Sequence, residues 1–370
     1  MAPEAESDPG SPSFLYLKSA FLAMEPASCV ISLARCAGGG SLTEEVQNFI
    51  LKLLIETSVQ SGILCNHMHV KNVIKNAIVA AESAYDSAVE GLYEQFAKMA
   101  FLQEDFCGKE NYRMFKQISF LFPDCTDGIY SRTELLVPLQ CSLNMLEGDT
   151  GCALWPSSLF LSEFILSYPK IFSNKVCFEA GSGVGLVGIA LAHVGPSNVI
   201  LTDGDHSSLE IMRRNMELNH LTSKVSCQYL SWESATEIEL SYYGATVVLG
   251  ADIMYDPKCI PHLVRVLRIL LSSKKRCANK APVRDINDHQ NAEDGVDYAR
   301  NFELAEEFEI PVAYLAAVIR NKETFNYFLL LAEEAHLSVA DITEEKPPLN
   351  LLPYMLSYER SSVRLFRIFY

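Results

Sequence analysis

Positive charge is scarce in this sequence. It has 30 Lys and Arg residues against 46 Asp and Glu residues, which gives a formal net charge of −16 at pH 7. A protein that binds nucleic acid in general needs a basic face that displaces counterions from the phosphates. The composition therefore argues against a general nucleic-acid binder, although it leaves a local basic patch open.

Paired cysteines and long apolar runs are also missing. Eleven cysteines are scattered with no C-x-x-C pair, which argues against a zinc site and indicates a reducing compartment. The apolar stretch from Phe14 to Ala34 is interrupted by Lys18, Glu25 and Pro26, so it is too broken to span a membrane. The first 13 residues are acidic and proline-rich, unlike a signal peptide. We expect a cytoplasmic protein with no metal and no membrane contact.

The chain does have enough apolar residues for a substantial core, at 49% of 370 residues. Residues 14–130 are dominated by helical spacing, and we expect a helical N-terminal domain there, after a disordered tail over 1–13. Apolar stripes at this spacing start at Val46, Val70 and Val89. The segment 103–131 is polar and irregular, which marks the expected boundary. This first domain is predicted to dock a partner, or else only to cap the rest of the chain.

Residues 131–370 alternate between β-like and α-like segments and form the second expected domain. Strands are predicted at 175–180, 199–202, 224–230, 246–250, 312–319, 337–343 and 363–369. Helices are predicted at 157–166, 184–193, 207–219, 261–271 and 322–335. Alternating βα units indicate an α/β fold with a parallel sheet, and the last strand should run antiparallel because no helix precedes it. We expect 272–309 to be a flexible surface loop.

A glycine-rich turn follows the first predicted strand of this domain. Residues 179–188 read EAGSGVGLVG and lead directly into a helical pattern. Glycines at 181, 183 and 185 allow a sharp turn that lies close to a ligand, and the helix start favours negative charge. The spacing also matches the dinucleotide fingerprint, with Asp203 at a suitable distance to hold a ribose. The turn could also be purely structural and bind no ligand.

Other candidate residues follow the neighbouring strands. Asp203 is suited to accept the ribose hydroxyls of an adenosine, although it could instead cap a helix together with Asp205. Trp232 is suited to pack on an adenine ring, and Trp155 is either a wall of the same pocket or a core anchor. Asp252 follows the fourth strand at the edge where ligands bind in open α/β sheets, with a helix cap as its alternative role.

These residues together resemble family 16 of the seven-β-strand S-adenosylmethionine methyltransferases, which methylate lysines on specific proteins. The pattern consists of Trp155, the Glu-x-Gly-x-Gly-x-Gly motif that starts at Glu179, Asp203 followed by Asn215 and Asn219, Trp232, and Asp252-x-x-Tyr255. It covers about 135–370. Within the family, the branch that methylates translation elongation factor 2 is the most similar. This second likeness depends on a helical extension with Leu92-Tyr93-Glu94 and on the residues VIRNKET at 318–324, where Lys322 replaces a proline common in the branch.

The resemblance implies a seven-stranded Rossmann-like sheet, S-adenosylmethionine as cofactor, and a monomer whose substrate is a protein, elongation factor 2. It implies catalytic roles for Asp252 and Tyr255, which would line an apolar channel for a lysine amine. The implied cofactor-binding residues are Trp155, Glu179, Gly181, Ser182, Gly183, Gly185, Asp203, Trp232 and Ala251. The alternatives are methylation of another protein or of a small molecule, a dinucleotide-dependent oxidoreductase, and a non-catalytic scaffold.

Overall fold

The computed structural model describes residues 12–60, 67–83, 87–101, 113–123, 133–142, 150–272 and 310–370. The N-terminal part contains helices α1 (Pro12–Leu22), α2 (Ala27–Ala37), α3 (Glu44–Gln60), α4 (His67–Ser83) and α5 (Glu90–Phe101). The helical spacing is confirmed in α4, where Val70, Val73 and Ala77 are buried on one side. Helix α1 includes residues 12 and 13, so the expected disordered tail over 1–13 is wrong for these two residues. The rest of that expected tail, and the expected loop over 273–309, lie outside the described residues.

An antiparallel hairpin follows the helices. Strand β1 (Arg113–Leu121) pairs along its whole length with strand β2 (Glu134–Ser142). The expectation of an irregular segment over 103–131 is therefore wrong for β1. Its Ile118 and Phe120 are fully buried and belong to the same apolar core as α1, and this burial stabilises a strand despite the polar residues around it. The expected domain boundary at 130/131 falls between the two paired strands.

The remaining strands form a seven-stranded sheet within the described part of the chain, as predicted. They are β3 (Val176–Ala180), β4 (Asn198–Asp203), β5 (Val225–Tyr229), β6 (Val247–Ala251), β7 (Val312–Val318), β8 (Ser338–Asp341) and β9 (Val363–Phe369). Their order across the sheet is β5-β4-β3-β6-β7-β9-β8. The first five strands in this order are parallel, and β9 is antiparallel to both of its neighbours. The expected antiparallel last strand is confirmed.

Helices cover both faces of the sheet. They are α6 (Pro156–Ser167), α7 (Pro169–Phe172), α8 (Leu186–Ala192), α9 (His206–Leu218), α10 (Glu237–Tyr243), α11 (Ile260–Ser272) and α12 (Lys322–Glu334). One apolar core contains residues of α6, α8 and α9 together with residues of α1–α5 and the hairpin. A second core, on the other face, contains residues of α10, α11 and α12. The N-terminal helices thus extend one face of the sheet. Helix α10 has no counterpart among the helices predicted from the sequence.

The sheet order fixes where a ligand site can form. From β3 the chain moves outward to β4 and β5, then returns to place β6 on the other side of β3. The loops after β3 and β6 therefore leave the sheet in opposite directions and open a crevice at the carboxyl ends of the strands. The predicted glycine turn, Asp203 and Asp252 all lie at this edge.

The loop between β8 and β9 connects the sheet to the N-terminal part. The Leu121 N–H donates to the Leu351 carbonyl at 2.8 Å, and the Ser119 N–H donates to the Tyr354 hydroxyl at 2.7 Å. The buried Glu25 carboxylate accepts hydrogen bonds from the Ser357 N–H at 2.8 Å and from its hydroxyl at 2.7 Å. Among the helices described, none is both long enough and apolar enough to cross a membrane.

Candidate active site

The turn after β3 is shaped by glycines that no other residue could replace without strain. Gly181 has φ +65° and Gly183 has φ +51°, both in the left-handed region that favours glycine. A Cβ on Gly181 would lie 2.9 Å from Ile253 Cγ2, and one on Gly183 would lie 2.7 Å from the Gly151 carbonyl oxygen. The positive φ angles and these close contacts therefore restrict both positions to glycine.

A cavity of about 470 Å³ lies beside this turn. Ten of the eleven predicted site residues line it, namely Trp155, Glu179, Gly181, Ser182, Gly183, Asp203, Trp232, Ala251, Asp252 and Tyr255. Gly185 is the exception, because it directly precedes α8 and faces Met212 and Met216 of α9. The structure thus brings the predicted residues together, while Gly185 serves the turn and the packing of two helices.

Glu179 places a carboxyl group in the wall of the cavity. Its side chain is 1% exposed, and its Oε2 atom accepts no hydrogen bond from any described residue. Burial raises the pKa of Glu179 to about 8, and the nearby Asp203 adds to this effect. A buried acceptor that lacks a partner fits a ligand with a positively charged donor, such as an ammonium group.

Asp203, at the end of β4, faces the same cavity and braces the glycine turn. Its Oδ2 accepts a hydrogen bond from the Gly183 N–H at 2.9 Å, and its Oδ1 accepts one from the Asp205 N–H at 3.0 Å. Asp205, and not Asp203, caps α9 by accepting the Ser208 N–H at 2.7 Å. Burial raises the pKa of Asp203. Because a carboxylate has about four acceptor positions, Asp203 can still bind ligand hydroxyls.

The two tryptophans lie on different walls of the cavity. Trp232 is half-buried, and its ring would lie 3.4 Å from a Cβ on Gly181. Trp155 precedes α6 and donates from Nε1 to the Thr150 carbonyl at 2.8 Å. The Arg320 guanidinium lies over its ring, 5.2 Å from the centroid. Trp155 is therefore a wall of the cavity and not a plain core anchor.

Asp252 follows β6 in an unusual backbone conformation and is ion-paired. It has φ 54° and is 8% exposed. Its Oδ1 accepts from the Val318 N–H at 3.0 Å and from Arg320 Nη1 at 3.2 Å, and its Oδ2 accepts from Arg320 Nη2 at 3.3 Å. The alternative role of Asp252 as a helix cap is not seen, because α11 begins at Ile260. Its partner Arg320 is the main residue that we did not assign from sequence.

Two further parts of the site were also missed. The short 3-10 turn Thr150–Cys152 closes over the glycine turn and contributes Thr150 and Gly151 to the cavity. A second cavity of about 50 Å³ shares Asp252, Tyr255 and Arg320 with the first. The Asp252–Arg320 pair thus lies where the two cavities meet. No group of side chains that could hold a metal ion occurs among the residues that the structure describes.

Known proteins match this chain in sequence. Residues 137–291 match methyltransferase family 16, described as lysine methyltransferase. Protein-lysine N-methyltransferase EEF2KMT of Homo sapiens is 24% identical over 340 residues, covering 88% of each chain. The Mus musculus EEF2KMT is 26% identical over 245 residues, or 62% of this chain and 68% of the relative. Protein-lysine N-methyltransferase EFM3 of Chaetomium thermophilum is 35% identical over 138 residues, or 35% of this chain and 41% of the relative.

These matches decide between S-adenosylmethionine and a dinucleotide as the ligand of the glycine turn. The family match begins in β2 and includes the glycine turn, Asp203, Trp232 and Asp252. The sheet order with its antiparallel last strand agrees with it. The dinucleotide interpretation is therefore wrong. Over residues 137–291 the chain resembles family 16 of the seven-β-strand methyltransferases, and its cofactor is S-adenosylmethionine.

Proposed function

We propose that this protein is a protein-lysine N-methyltransferase that acts on a lysine of translation elongation factor 2. The human relative named for this substrate matches over 340 residues, which is too long for the α/β sheet domain alone. The match therefore extends into the N-terminal helices. That extent is the observation that carries the choice of substrate.

The cavity fits the cofactor at several points. Glu179 would accept the ammonium group of the methionine moiety, which gives its unpartnered Oε2 a donor. Asp203 would accept the ribose hydroxyls, and Trp232 would pack on the adenine ring. Gly181 and Gly183 line the cavity, so the cofactor would lie against their backbone. When bound, S-adenosylmethionine supplies a methyl group on a sulfonium, which is open to attack by a neutral amine.

The chain's own residues would then receive the lysine. A free lysine has a pKa of about 10.4, so its amine must lose a proton before it can attack. A partly apolar site favours the neutral amine because it gives the ammonium form less hydration. Tyr255 is 62% exposed, so a protein substrate can reach it. Burial of its hydroxyl raises the pKa of Tyr255, which keeps it protonated as a hydrogen-bond donor near neutral pH.

The test is incubation with radiolabelled S-adenosylmethionine and purified elongation factor 2, followed by gel separation. Asp252→Asn is the informative variant. Asparagine tolerates the positive φ of Asp252 and can still accept the Val318 N–H, while the negative charge is lost. We expect a labelled factor with the wild-type protein and little label with Asp252→Asn, at similar cofactor affinity measured by calorimetry.

The other outcomes separate the parts of the proposal. Label on a different protein in a cell lysate, with none on the factor, would reject the substrate and keep protein methylation. Full activity of Asp252→Asn would reject the role of the carboxylate. Equal loss of cofactor binding and turnover would make Asp252 a cofactor-binding or structural residue instead.

A further inference from the structure

Arg320 has a position that the cofactor site does not explain. It lies two residues after β7, at the same edge of the sheet as Asp252. Its guanidinium makes a two-pronged ion pair with the Asp252 carboxylate and also lies over the Trp155 ring. A planar guanidinium is the side chain that can satisfy both geometries at once, which a lysine ammonium cannot.

We propose that Arg320 is a positioning residue for methyl transfer. It holds Asp252 where the two cavities meet and Trp155 in the wall of the larger one, and it balances the negative charge of Asp252 beside the acceptor amine. This inference rests on the proposed function, because it assumes that a lysine side chain enters at this point. Arg320 itself need not touch the methyl group.

The two cavities give the ion pair its place in the reaction. The larger cavity contains the glycine turn and Glu179, where the cofactor is expected. The smaller cavity lies against apolar side chains that include Met254, Val318 and Phe325. Asp252, Tyr255 and Arg320 are common to both. A lysine whose methylene chain enters the smaller cavity would bring its amine to this shared group.

Charge balance matters at this point because an unpaired carboxylate would act against the reaction. A lone Asp252 would attract the lysine in its ammonium form and so raise the pKa of the acceptor. Paired with Arg320, the same carboxylate can accept a hydrogen bond from the amine without a net negative charge beside it. The other titratable side chains that line the larger cavity are Glu179, Asp203, Asp205, Glu233, Tyr255, Cys259 and His262. They remain in every variant below, so differences between variants report on Arg320.

The test compares the pH dependence of kcat in three proteins. In Arg320→Gln, the acid limb of the profile should move up by about one pH unit, so that kcat at neutral pH falls about tenfold. Arg320→Lys keeps the positive charge but loses the two-pronged hydrogen bonding of the guanidinium. The midpoint of its acid limb should therefore stay close to that of the wild type, while kcat falls. The matched control is Arg364→Gln, since Arg364 is 40% exposed against 46% for Arg320 and is paired with Asp341. Neither Arg364 nor Asp341 lines either cavity. Arg364→Gln should leave the profile unchanged.

If the acid limb of the kcat profile lies at the same pH in Arg320→Gln and in the wild type, the proposal is overturned, whatever the value of kcat.

If the wild-type protein labels no acceptor, the proposed function fails, and a second measurement still decides the role of Arg320. The sequence has two tryptophans, so Trp232→Phe leaves Trp155 as the only tryptophan, which is excited selectively at the red edge of the protein absorption band. In that background, Arg320→Gln should increase the quenching of Trp155 by acrylamide, because the ring loses its cover. Equal quenching with and without the substitution would overturn the proposal.

Discussion

The Glu179→Gln substitution should stabilise the ligand-free protein, and increasingly so as the pH rises. Glu179 is fully buried, and burial raises its pKa from 4.5 to about 8. Between these two values the unfolded chain carries an ionised Glu179 while the folded chain keeps it protonated. The folded state then binds more protons, so its stability falls as the pH increases. Glutamine has nearly the same shape and no such cost.

The size of the effect follows from the raised pKa. Each pH unit of difference corresponds to about 1.4 kcal/mol, so the full interval is worth up to about 5 kcal/mol. The stabilisation by Glu179→Gln should be close to zero near pH 4.5, grow between pH 5 and 8, and level off above pH 8. The contributions of the other titrating groups to the free energy of unfolding cancel when the variant is compared with the wild type at the same pH.

Urea unfolding of both proteins at pH 5, 6, 7 and 8 measures this difference. Calorimetry with S-adenosylmethionine supplies an independent check, because the wild-type affinity should increase by up to tenfold from pH 6 to 7 as Glu179 ionises more easily. Glu179→Gln should bind more weakly and lose most of this pH dependence. A stability difference that stays constant from pH 5 to 8 would refute the assignment of a buried, protonated carboxyl.

Three further substitutions test individual contacts. Asp252→Ala should cost about 1–2 kcal/mol more than Asp252→Asn in urea unfolding, because alanine is strained at φ 54°; equal costs would contradict this. Gly181→Ala should weaken S-adenosylmethionine binding at least tenfold in calorimetry, because its Cβ would lie 2.9 Å from Ile253 and would force the cofactor-binding turn to shift. Unchanged affinity would place the cofactor elsewhere. Tyr354→Phe should cost about 1–3 kcal/mol in urea unfolding, because it leaves the buried Ser119 N–H without an acceptor. A smaller cost would mean that another group takes over.

The large sheet could be predicted from the sequence because its signals are local. Each parallel strand except β5 contains a short apolar run and is followed by a helical pattern, and the glycine turn marks where β3 ends. The same rule placed Asp203 and Asp252 at one edge, since the carboxyl ends of parallel strands meet there. The first of these strands was predicted to begin at Lys175, and the observed β3 begins one residue later, at Val176.

The hairpin and the role of Arg320 depend on contacts between distant parts of the chain. Strand β1 is held by pairing with β2, and its Ser119 is bonded to Tyr354, 235 positions away. Arg320 lies 68 positions after Asp252, and no local pattern states that the two side chains meet. One signal was available for Arg320, because it lies two residues after a parallel strand, at the sheet edge where active-site residues are found. No comparable pattern in the sequence predicts the hairpin.

The side chain of Asn215 has a consequence for any attempt to shorten this protein. Asn215 is fully buried on α9, where its Oδ1 accepts the Gln140 N–H and its Nδ2 donates to the carbonyls of Gln140 and Val184. One amide thus joins strand β2 of the hairpin to the glycine turn of the cofactor site. A version that starts at residue 131 would keep β2 but lose its partner strand. It would present an open strand edge next to the turn that must hold the methyl donor, so the catalytic half is not a module that can be cut free at that point.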